Sequence, residues 1–372
     1  MPIISRIEAA GQQAEEAELL EAVRDSVRSF AKSRPAEYDE ASLAAEWQQI
    51  AEAGWFGLLA DEANGGSALS VEVMAALYEE LGRSGVTLPY AAVSVLALIA
   101  VDQCEPSDLQ ASLLTGLSEG DIRPVLCWQD EPNHSERQLP FAQLSADETA
   151  SFGRCLIDLA QMATHFCVPA DRDGVPGLVV IPRDHPGVTL TMAPGLSGWQ
   201  VGKLQFEGEV PADAFLRLPD RDALAPAFRL ARTAAAAQLS GLCAQIIAMT
   251  VDFTGQRVQF GKALATNQVV QHRLVDMWME QTLASAAVYH AARASGVAGG
   301  ELAALAAKAR ASKAVDVVSR GAFQLHGAIG YTGEYPLGGL VRGCLALASW
   351  LGTANELRRR FVALECGEGR AA

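Results

Sequence analysis

The sequence lacks paired cysteines, an excess of positive charge and long apolar runs. Its seven cysteines are scattered, with no CxxC pair and no metal-ligand spacing, so we expect reduced, buried thiols and no metal site. The formal net charge of −15 argues against nucleic acid or an anionic membrane surface as a partner. These absences favour a cytoplasmic protein. A small anionic ligand stays compatible with the sequence, because it needs only a local cluster of arginines.

The sequence also shows neither the residue pattern of a signal peptide nor that of a membrane-spanning segment. The first twenty residues are acidic and contain no basic stretch followed by an apolar one, so no signal peptide is expected. The apolar run at residues 95–101 is short and ends at Asp102, and we expect no segment that spans a bilayer. A chain of 372 residues, half of them hydrophobic, has the length of a globular protein with two or three domains.

The residue pattern divides the chain into three regions. Residues 1–118 are predicted to be helical, because apolar residues recur at helical spacing. Residues 119–218 hold short runs rich in Val, Ile and Thr between turn residues, which predicts a small antiparallel sheet or barrel. Residues 219–372 return to long Ala-rich runs with short loops, as in an antiparallel four-helix bundle. The predicted fold is therefore mainly α with a central β domain.

Two C-terminal stretches carry residues typical of a nucleotide site. QRVQFGK places Arg257 three residues before Phe260; a guanidinium pairs with phosphate oxygens, and an aromatic ring offers a face to a purine. QLHGAIGYTGEYP holds Gly327, Gly330 and Gly333 after a long helical run, and glycine lets a backbone approach a flat or phosphorylated ligand. Taken singly, these residues also fit a surface arginine, a core phenylalanine and an ordinary helix end.

Taken together, the stretches resemble the acyl-CoA dehydrogenase family, flavoenzymes that oxidise acyl-CoA thioesters between the α and β carbons. The matching segments are QRVQFGKALATNQVVQHRLVDM, KARASKAVDVVSRGAFQLHGAIGYTGEYPL and the LGTANELRR tail. The resemblance is strongest over residues 230–360, fair in the N-terminal helices and weak in the β domain. It implies the helical–β–helical architecture found above and FAD as the cofactor.

The resemblance assigns two groups of residues to the nucleotide half of FAD. Arg257, Gln259 and Phe260 would contact the diphosphate and adenine, and Gln268 would lie near the same nucleotide. A second group would approach the adenosine end of a flavin held by a neighbouring subunit. Its members are Gln324, Leu325, His326, Gly327 and Ala328.

The resemblance also implies a missing catalytic group. Thr353 matches a position near the flavin, and Arg232 matches one beside the acyl-CoA thioester. The chemistry needs a carboxylate that takes the α proton. Its common position directly precedes the Gly-Thr of the final helix, here Leu351, and its less common position precedes the arginine of the first bundle helix, here Ala231. Neither side chain accepts a proton, so no catalytic residue is assigned to this chain.

The β domain departs from the family as well. Members have a Thr-Glu-Pro stretch followed by Gly-Ser-Asp, and a Trp-Ile-Thr segment against the flavin ring. Here VLCWQDEPNHSER keeps Glu131 and Pro132 without the Gly-Ser-Asp, and FGRCLIDLAQMATHFCVPA has no Trp-Ile-Thr. This chain is therefore predicted to have lost contacts to the isoalloxazine ring of the flavin. The residues that would contact the nucleotide half are all present.

This asymmetry resembles the non-catalytic subunit of heteromeric family members, some of which act on bulky ring-bearing CoA thioesters, including those of steroid side-chain degradation. It implies a homologous Glu-bearing partner in a heterodimer or an α2β2 heterotetramer. It also implies an acyl-CoA substrate and electron-transfer flavoprotein, or a similar protein, as the electron acceptor.

Three alternatives stay open at this point. The first is a homomeric dehydrogenase whose base has moved to Glu131, Glu334 or Glu356, although Glu356 is expected to face away from Leu351 and Glu334 to be structural. The second is a flavin-free scaffold or acyl-CoA-binding protein. The third is a flavin-dependent monooxygenase or nitro-compound oxidase, which needs no glutamate at the base position.

Overall fold

The N-terminal part of the chain is helical, as predicted. The structure, a computed structural model, describes residues 13–34, 40–132, 139–144 and 148–367. Ser70 caps its third helix, because the serine hydroxyl accepts a hydrogen bond from the Val73 N–H at 3.2 Å. The helices are α1 Gln13–Ser33, α2 Glu40–Glu52, α3 Val71–Arg83, α4 Leu98–Asp102, which continues a π-helical stretch Ala92–Ala97, and α5 Asp108–Glu119.

Two sheets follow. The first has the order β1-β4-β5-β8, with β2 also paired to β4, and the second has the order β3-β7-β6. Most strand pairs are antiparallel, as predicted, but β1 and β2 run parallel to β4, which the prediction of an antiparallel sheet or barrel did not include. Long connections between these strands permit the parallel pairing. The strands are β1 Pro124–Leu126, β2 Ala142–Leu144, β3 Thr149–Asp158, β4 His165–Arg172, β5 Val175–Pro182, β6 Val188–Pro194, β7 Gln200–Glu209 and β8 Phe215–Arg217.

The C-terminal part is again helical. A short hairpin, β9 Val258–Gln259 with β10 Lys262–Ala263, separates its first two helices. The helices are α6 Ala225–Gln256, α7 Gln268–Arg293, α8 Gly300–His326, α9 Leu337–Ser349 and α10 Ala354–Glu365. The change from helices to strands thus falls between residues 119 and 124, and the change back to helices falls between residues 217 and 225. The domain boundaries themselves stay predictions.

The last helix of the predicted four-helix bundle is two helices, α9 and α10, and not one. Leu351 and Gly352 have φ values of 57° and 109°, which no α-helix accommodates. Thr353 then begins α10 with a capping box, in which its hydroxyl accepts from the Glu356 N–H and the Glu356 carboxylate accepts from the Thr353 N–H. The break therefore arises from a left-handed turn followed by a strong helix start.

The N-terminal helices and the bundle share one core, joined where α3 crosses α6. A Cβ atom added to Gly241 would lie 1.9 Å from the Glu79 carbonyl oxygen, and one added to Gly82 would lie 2.2 Å from the Gln238 carbonyl oxygen. The two backbones can approach this closely only because both positions lack a side chain. The buried Glu79 carboxylate is held at the same crossing by the Ser240 and Ser285 hydroxyls, at 3.0 and 2.8 Å.

Two helical stretches are long and apolar enough to cross a membrane, contrary to the prediction. They are Arg221–Gln256 and Leu337–Glu365. In the first, 72% of the apolar window is buried inside the protein, because α6 packs against α3, α7 and α8. The second is interrupted by the turn between α9 and α10. Length and composition alone are weak indications of a membrane span, since the core helix of a globular protein passes the same test.

Candidate functional site

A cleft of about 890 Å³ lies between the β strands and the last two helices, at the upper end of the usual volume of ligand sites. On the β side it is lined by Trp128, Gln129, Pro132, Leu156, Asp158 and Leu196. On the helical side it is lined by Trp350, Leu351, Gly352, Thr353, Glu356 and Arg359. The segments that the sequence analysis assigned to the flavin ring and to the base thus meet at one place. Residues 133–138, where the missing Gly-Ser-Asp would follow, lie outside the described part of the chain.

Both expected base positions carry buried apolar side chains. Leu351 is 2% exposed and Ala231 is completely buried. The Leu351 carbonyl accepts a hydrogen bond from the Arg232 Nε at 3.2 Å, and this bond stabilises the left-handed turn. The two positions are thus linked through Arg232, the residue after Ala231, and neither supplies a proton acceptor.

Arg232 lies beneath the cleft wall. Its side chain is fully buried and pairs with the Glu301 carboxylate at 3.3 Å, and Glu301 also pairs with Arg360 at 2.7 Å. Burial lowers the Arg232 pKa, although the Glu301 charge opposes that shift. The arginine thus positions the turn that holds Leu351. Its contact with a thioester stays a prediction. That contact would need the turn to move.

Lys308 is a second buried cation behind the same turn. Its Nζ donates to the Ala348 carbonyl at 3.0 Å and to the Ser312 hydroxyl at 3.3 Å. Burial, assisted by the nearby Arg232 charge, lowers the pKa of Lys308 to about 7. The group behind the turn therefore changes charge near neutral pH.

Asp158, which is not among the residues predicted from the sequence, is the cleft carboxyl with the most strongly raised pKa. It ends β3 and reaches solvent only partly, through the cleft. Burial raises the Asp158 pKa to about 7, and a hydrogen bond from the Trp350 side chain opposes the shift. In the sequence this segment is notable for the Trp-Ile-Thr that it lacks; the signal that points to Asp158 is an acid at the end of the apolar run CLID.

The other acids are weaker candidates for a base. Glu356 does line the cleft, so the expectation that it faces away is wrong; it was based on one continuous helix. Its Oε2 accepts from both the Thr353 hydroxyl and the Thr353 N–H at 2.7 Å, and these bonds lower the Glu356 pKa. A carboxylate held in this way is a poor proton acceptor. Glu334 is exposed and does not line the cleft.

The hairpin arm, residues 256–263, projects from the end of α6. Gln259 pairs with Lys262, so Phe260 and Gly261 form a two-residue turn with φ values of 53° and 78°. Such a turn favours Asn-Gly, because both residues need positive φ. Here a phenylalanine occupies the first position with its side chain 100% exposed. Arg257 and Gln268, at either end of the connection, are also exposed.

The glycine arm, defined as Gln324, Leu325, His326, Gly327 and Ala328, ends α8 beside the hairpin arm. Gly327 has φ 65° and ψ −142°, a conformation that is nearly restricted to glycine, and open space surrounds it. Gln324, Gly327 and Ala328 are exposed. The two arms are joined because Phe253 of α6 stacks on His326 with ring centroids 4.4 Å apart.

His326 is the buried member of the glycine arm. Its Nδ1 donates to the Ala322 carbonyl at 2.8 Å, so its Nε2 accepts from the Tyr335 hydroxyl at 3.2 Å. Burial lowers its pKa. The backbone thus satisfies the ring, and the predicted cofactor contacts of this residue and of the rest of both arms stay predictions.

Comparisons with known proteins agree with this arrangement. Sequence profiles described as acyl-CoA dehydrogenase N-terminal domain and C-terminal domain match residues 13–121 and 222–364. The chain is 30% identical over 203 residues to a 3-sulfinopropanoyl-CoA desulfinase of Paraburkholderia xenovorans, covering 52% of each protein. It is 30% identical over 207 residues to an acyl-CoA dehydrogenase of Bacillus subtilis, covering 53% of this chain and 54% of that one. The matched stretch spans about half the length of these relatives.

Solved structures share the whole fold. A variant of the Tcur3481-Tcur3483 steroid ACAD (acyl-CoA dehydrogenase) superimposes with a TM-score of 0.83 at 28% identity, over 96% of this chain and 99% of that one. Butyryl-CoA dehydrogenase from Megasphaera elsdenii gives 0.83 at 24% identity, over 94% and 98%. The ChsE4-ChsE5 complex from Mycobacterium tuberculosis gives 0.82 at 21% identity, over 96% and 98%. The matched domains and the shared fold show that this chain belongs to the acyl-CoA dehydrogenase family of FAD-dependent flavoproteins.

Proposed function

We propose that this chain is the base-lacking subunit of a heteromeric acyl-CoA dehydrogenase that shares FAD with a Glu-bearing homologous subunit. The reaction is the α,β-dehydrogenation of an acyl-CoA thioester. One observation carries the proposal: the two positions that hold the base in this family are the buried Leu351 and Ala231. The α proton needs a carboxylate within hydrogen-bond reach, and the partner subunit would supply it.

FAD, when bound, supplies the hydride acceptor. The residues of this chain fit its nucleotide half. Arg257 is exposed, and no residue in the described part of the chain forms an ion pair with it. The aromatic ring of Phe260 is fully exposed in a turn that favours asparagine, and Gly327 leaves open space for a ligand backbone or phosphate. These features support contact with the diphosphate and adenine.

Distance supports contact in trans. Arg232, behind the cleft wall, and Arg257, at the start of the hairpin arm, lie on the same α-helix and its C-cap. At 1.5 Å per residue they are about 37 Å apart, which exceeds the length of one extended flavin dinucleotide. The arms therefore serve a flavin whose ring lies in another subunit.

An exposed apolar face supports association. Along α7 the side chains of Val275, Trp278, Met279 and Leu283 are between 46% and 57% exposed, and their spacing places them on one face of the helix. A contiguous apolar face of this kind usually marks a protein interface. We assign it to the homologous subunit, in a heterodimer or an α2β2 heterotetramer.

Substrate, electron acceptor and location are assigned in the same proposal. We assign a bulky ring-bearing acyl group, such as that of a steroid CoA thioester, as the substrate class of the complex. Similarity at 28% identity to a protein described as a steroid ACAD supports that class. Electron-transfer flavoprotein or a similar protein would accept the electrons, in the cytoplasm.

Co-purification with a Glu-bearing homologue tests the proposal. The complex should retain FAD and oxidise acyl-CoA, and the lone chain should do neither. Replacing Arg257 by Ala in the complex should weaken FAD retention roughly tenfold to a hundredfold, since a charge-assisted hydrogen bond to phosphate is lost. Arg217→Ala, at an exposed arginine of β8, is the matched control. Full flavin occupancy and turnover by the lone chain would overturn the proposal.

One observation favours a second candidate, a self-sufficient dehydrogenase with a relocated base. Asp158 is a cleft carboxyl whose pKa of about 7 suits a general base. In that case Asp158→Asn would abolish turnover by the lone chain, whereas Glu131, Glu334 and Glu356 could each be replaced by glutamine without effect.

A further inference from the structure

The helical wall of the cleft carries a cluster of positive charge. Two arginines of α10 line the cleft itself, and two buried cations hold the turn between α9 and α10. The Arg232 Nε donates to the Leu351 carbonyl at 3.2 Å, and the Lys308 Nζ donates to the Ala348 carbonyl at 3.0 Å. The chain as a whole has a formal net charge of −15, so this cluster opposes its overall charge. Its members are Arg232, Lys308, Arg359 and Arg360.

Two carboxylates on the same wall are already engaged. Glu301 is shared between Arg232, at 3.3 Å, and Arg360, at 2.7 Å. Glu356 accepts hydrogen bonds from the Thr353 hydroxyl and N–H, and it lies at the positive end of the α10 dipole. In the described part of this wall, four cations therefore face two carboxylates, and the wall attracts an anion.

Much of the remaining lining is apolar or aromatic. It includes Trp128, Trp350, Leu196, Leu347 and Leu351. Indole rings and aliphatic side chains suit a flat apolar body. Walls of low dielectric constant also strengthen the field of nearby charges and concentrate ligands of the opposite sign. A volume of about 890 Å³ accommodates a ligand of drug size.

We propose that this cleft binds a ring-bearing apolar carboxylate, the free acid of an acyl group, and holds it without reaction. The inference rests on the proposed function, because it assumes that the flavin ring lies in the partner subunit and leaves this cleft open. A carboxylate carries its charge at the end of the apolar body, where it can lie against the turn that Arg232 and Lys308 support. A thioester is neutral at that point and gains less from the same cations. Leu351 and Ala231 supply no base, so the bound acid stays unchanged.

The cleft should hold the acid more tightly below pH 7. Burial, assisted by the Arg232 charge, lowers the pKa of Lys308 to about 7, and burial raises the pKa of Asp158 to about 7. Below pH 7 Lys308 gains a positive charge and Asp158, in the same cleft, loses a negative one, so both changes favour a bound anion. The other charged groups at the site are Glu301, Glu356, Arg359 and Arg360.

Displacement of the fluorescent probe 8-anilinonaphthalene-1-sulfonate from the purified lone chain tests the assignment. We expect 2-naphthoate to displace it about tenfold more effectively than methyl 2-naphthoate, which has the same rings without the charge. Sodium chloride at about 0.5 M should reduce that difference, and 2-naphthoate should bind about fivefold more tightly at pH 6 than at pH 8. Arg359→Gln should weaken 2-naphthoate binding about fivefold. Arg358→Gln, at an exposed neighbour that does not line the cleft, should bind it like the wild type.

The outcomes separate the two proposals. If methyl 2-naphthoate displaces the probe as well as the acid does, or if Arg359→Gln and Arg358→Gln behave alike, the carboxylate site is wrong, and an active complex with the Glu-bearing homologue would still support the shared flavin. If 2-naphthoyl-CoA displaces the probe more effectively than 2-naphthoate, the ligand is a thioester and the assignment of a free acid is wrong. If the lone chain retains FAD and oxidises acyl-CoA, both proposals are wrong, because the flavin ring then occupies the cleft.

Discussion

At the scale of single residues, the strain at Phe260 is the clearest sign of function. An exposed aromatic side chain at positive φ gains nothing within the chain, since its side chain is 100% exposed. Left-handed backbone costs a non-glycine residue roughly 1–2 kcal/mol. Strain of this kind usually persists where a ligand or a partner uses the residue.

Phe260→Asn should therefore stabilise the isolated chain and impair the complex. Asparagine tolerates the left-handed conformation, so we expect the free energy of unfolding to rise by up to about 1 kcal/mol in chemical denaturation. The same variant should lower FAD retention in the complex, measured by absorbance after gel filtration. Unchanged flavin retention would count against contact between this ring and the adenine.

The buried amine of Lys308 gives a prediction about pH. Its pKa is about 7 in the folded chain and 10.5 in a free lysine. Between those values the unfolded chain binds the proton and the folded chain does not, so this group makes stability rise with pH. Lys308→Met should remove that rise, which we expect to be roughly 2 kcal/mol between pH 7 and 9. Denaturant titrations at both pH values check it, with the exposed Lys313→Met as control.

At the scale of elements, the crossing of α3 over α6 determines how the N-terminal helices join the bundle. We expect Gly241→Ala to destabilise the chain by about 3 kcal/mol or more, because its Cβ would lie 1.9 Å from a backbone oxygen that cannot move alone. Gly255→Ala, on the same helix with open space around it, should instead stabilise by about 0.5–1 kcal/mol. Thermal unfolding of both variants gives the comparison, and equal effects would contradict the packing described.

Features that arise from residues close together in the chain could be predicted from the sequence, and features that depend on contacts between distant segments could not. Local periodicity predicted the helical, β and helical parts, because apolar spacing decides these elements. The break at residues 350–353 was not predicted, since a left-handed Leu351 is stabilised by Arg232, 119 positions away. The parallel pairing of β1 with β4 and the position of Asp158 in the same cleft as Leu351 likewise depend on contacts between distant segments, which no local pattern records.

At the scale of the whole molecule, the exposed face of α7 predicts an obligate partner. Trp278→Glu would place a charge in that face, and we expect at least a tenfold loss of association with the Glu-bearing subunit, measured by light scattering on a sizing column. Val362→Glu adds the same charge at an apolar side chain of α10 that is also 55% exposed, and it should leave the complex intact. If both variants assemble normally, the interface lies elsewhere.

The spacing of the arms and the cleft along α6 has a consequence for how such a chain diverges. Because the two sites share no side chains and lie at opposite ends of a long helix, substitutions that ruin one leave the geometry of the other unchanged. After gene duplication, one copy can accumulate substitutions in its cleft while selection still maintains its hairpin arm and glycine arm, because the other copy uses them. Mutual dependence between paralogues then arises through simple loss, with no new contact having to evolve.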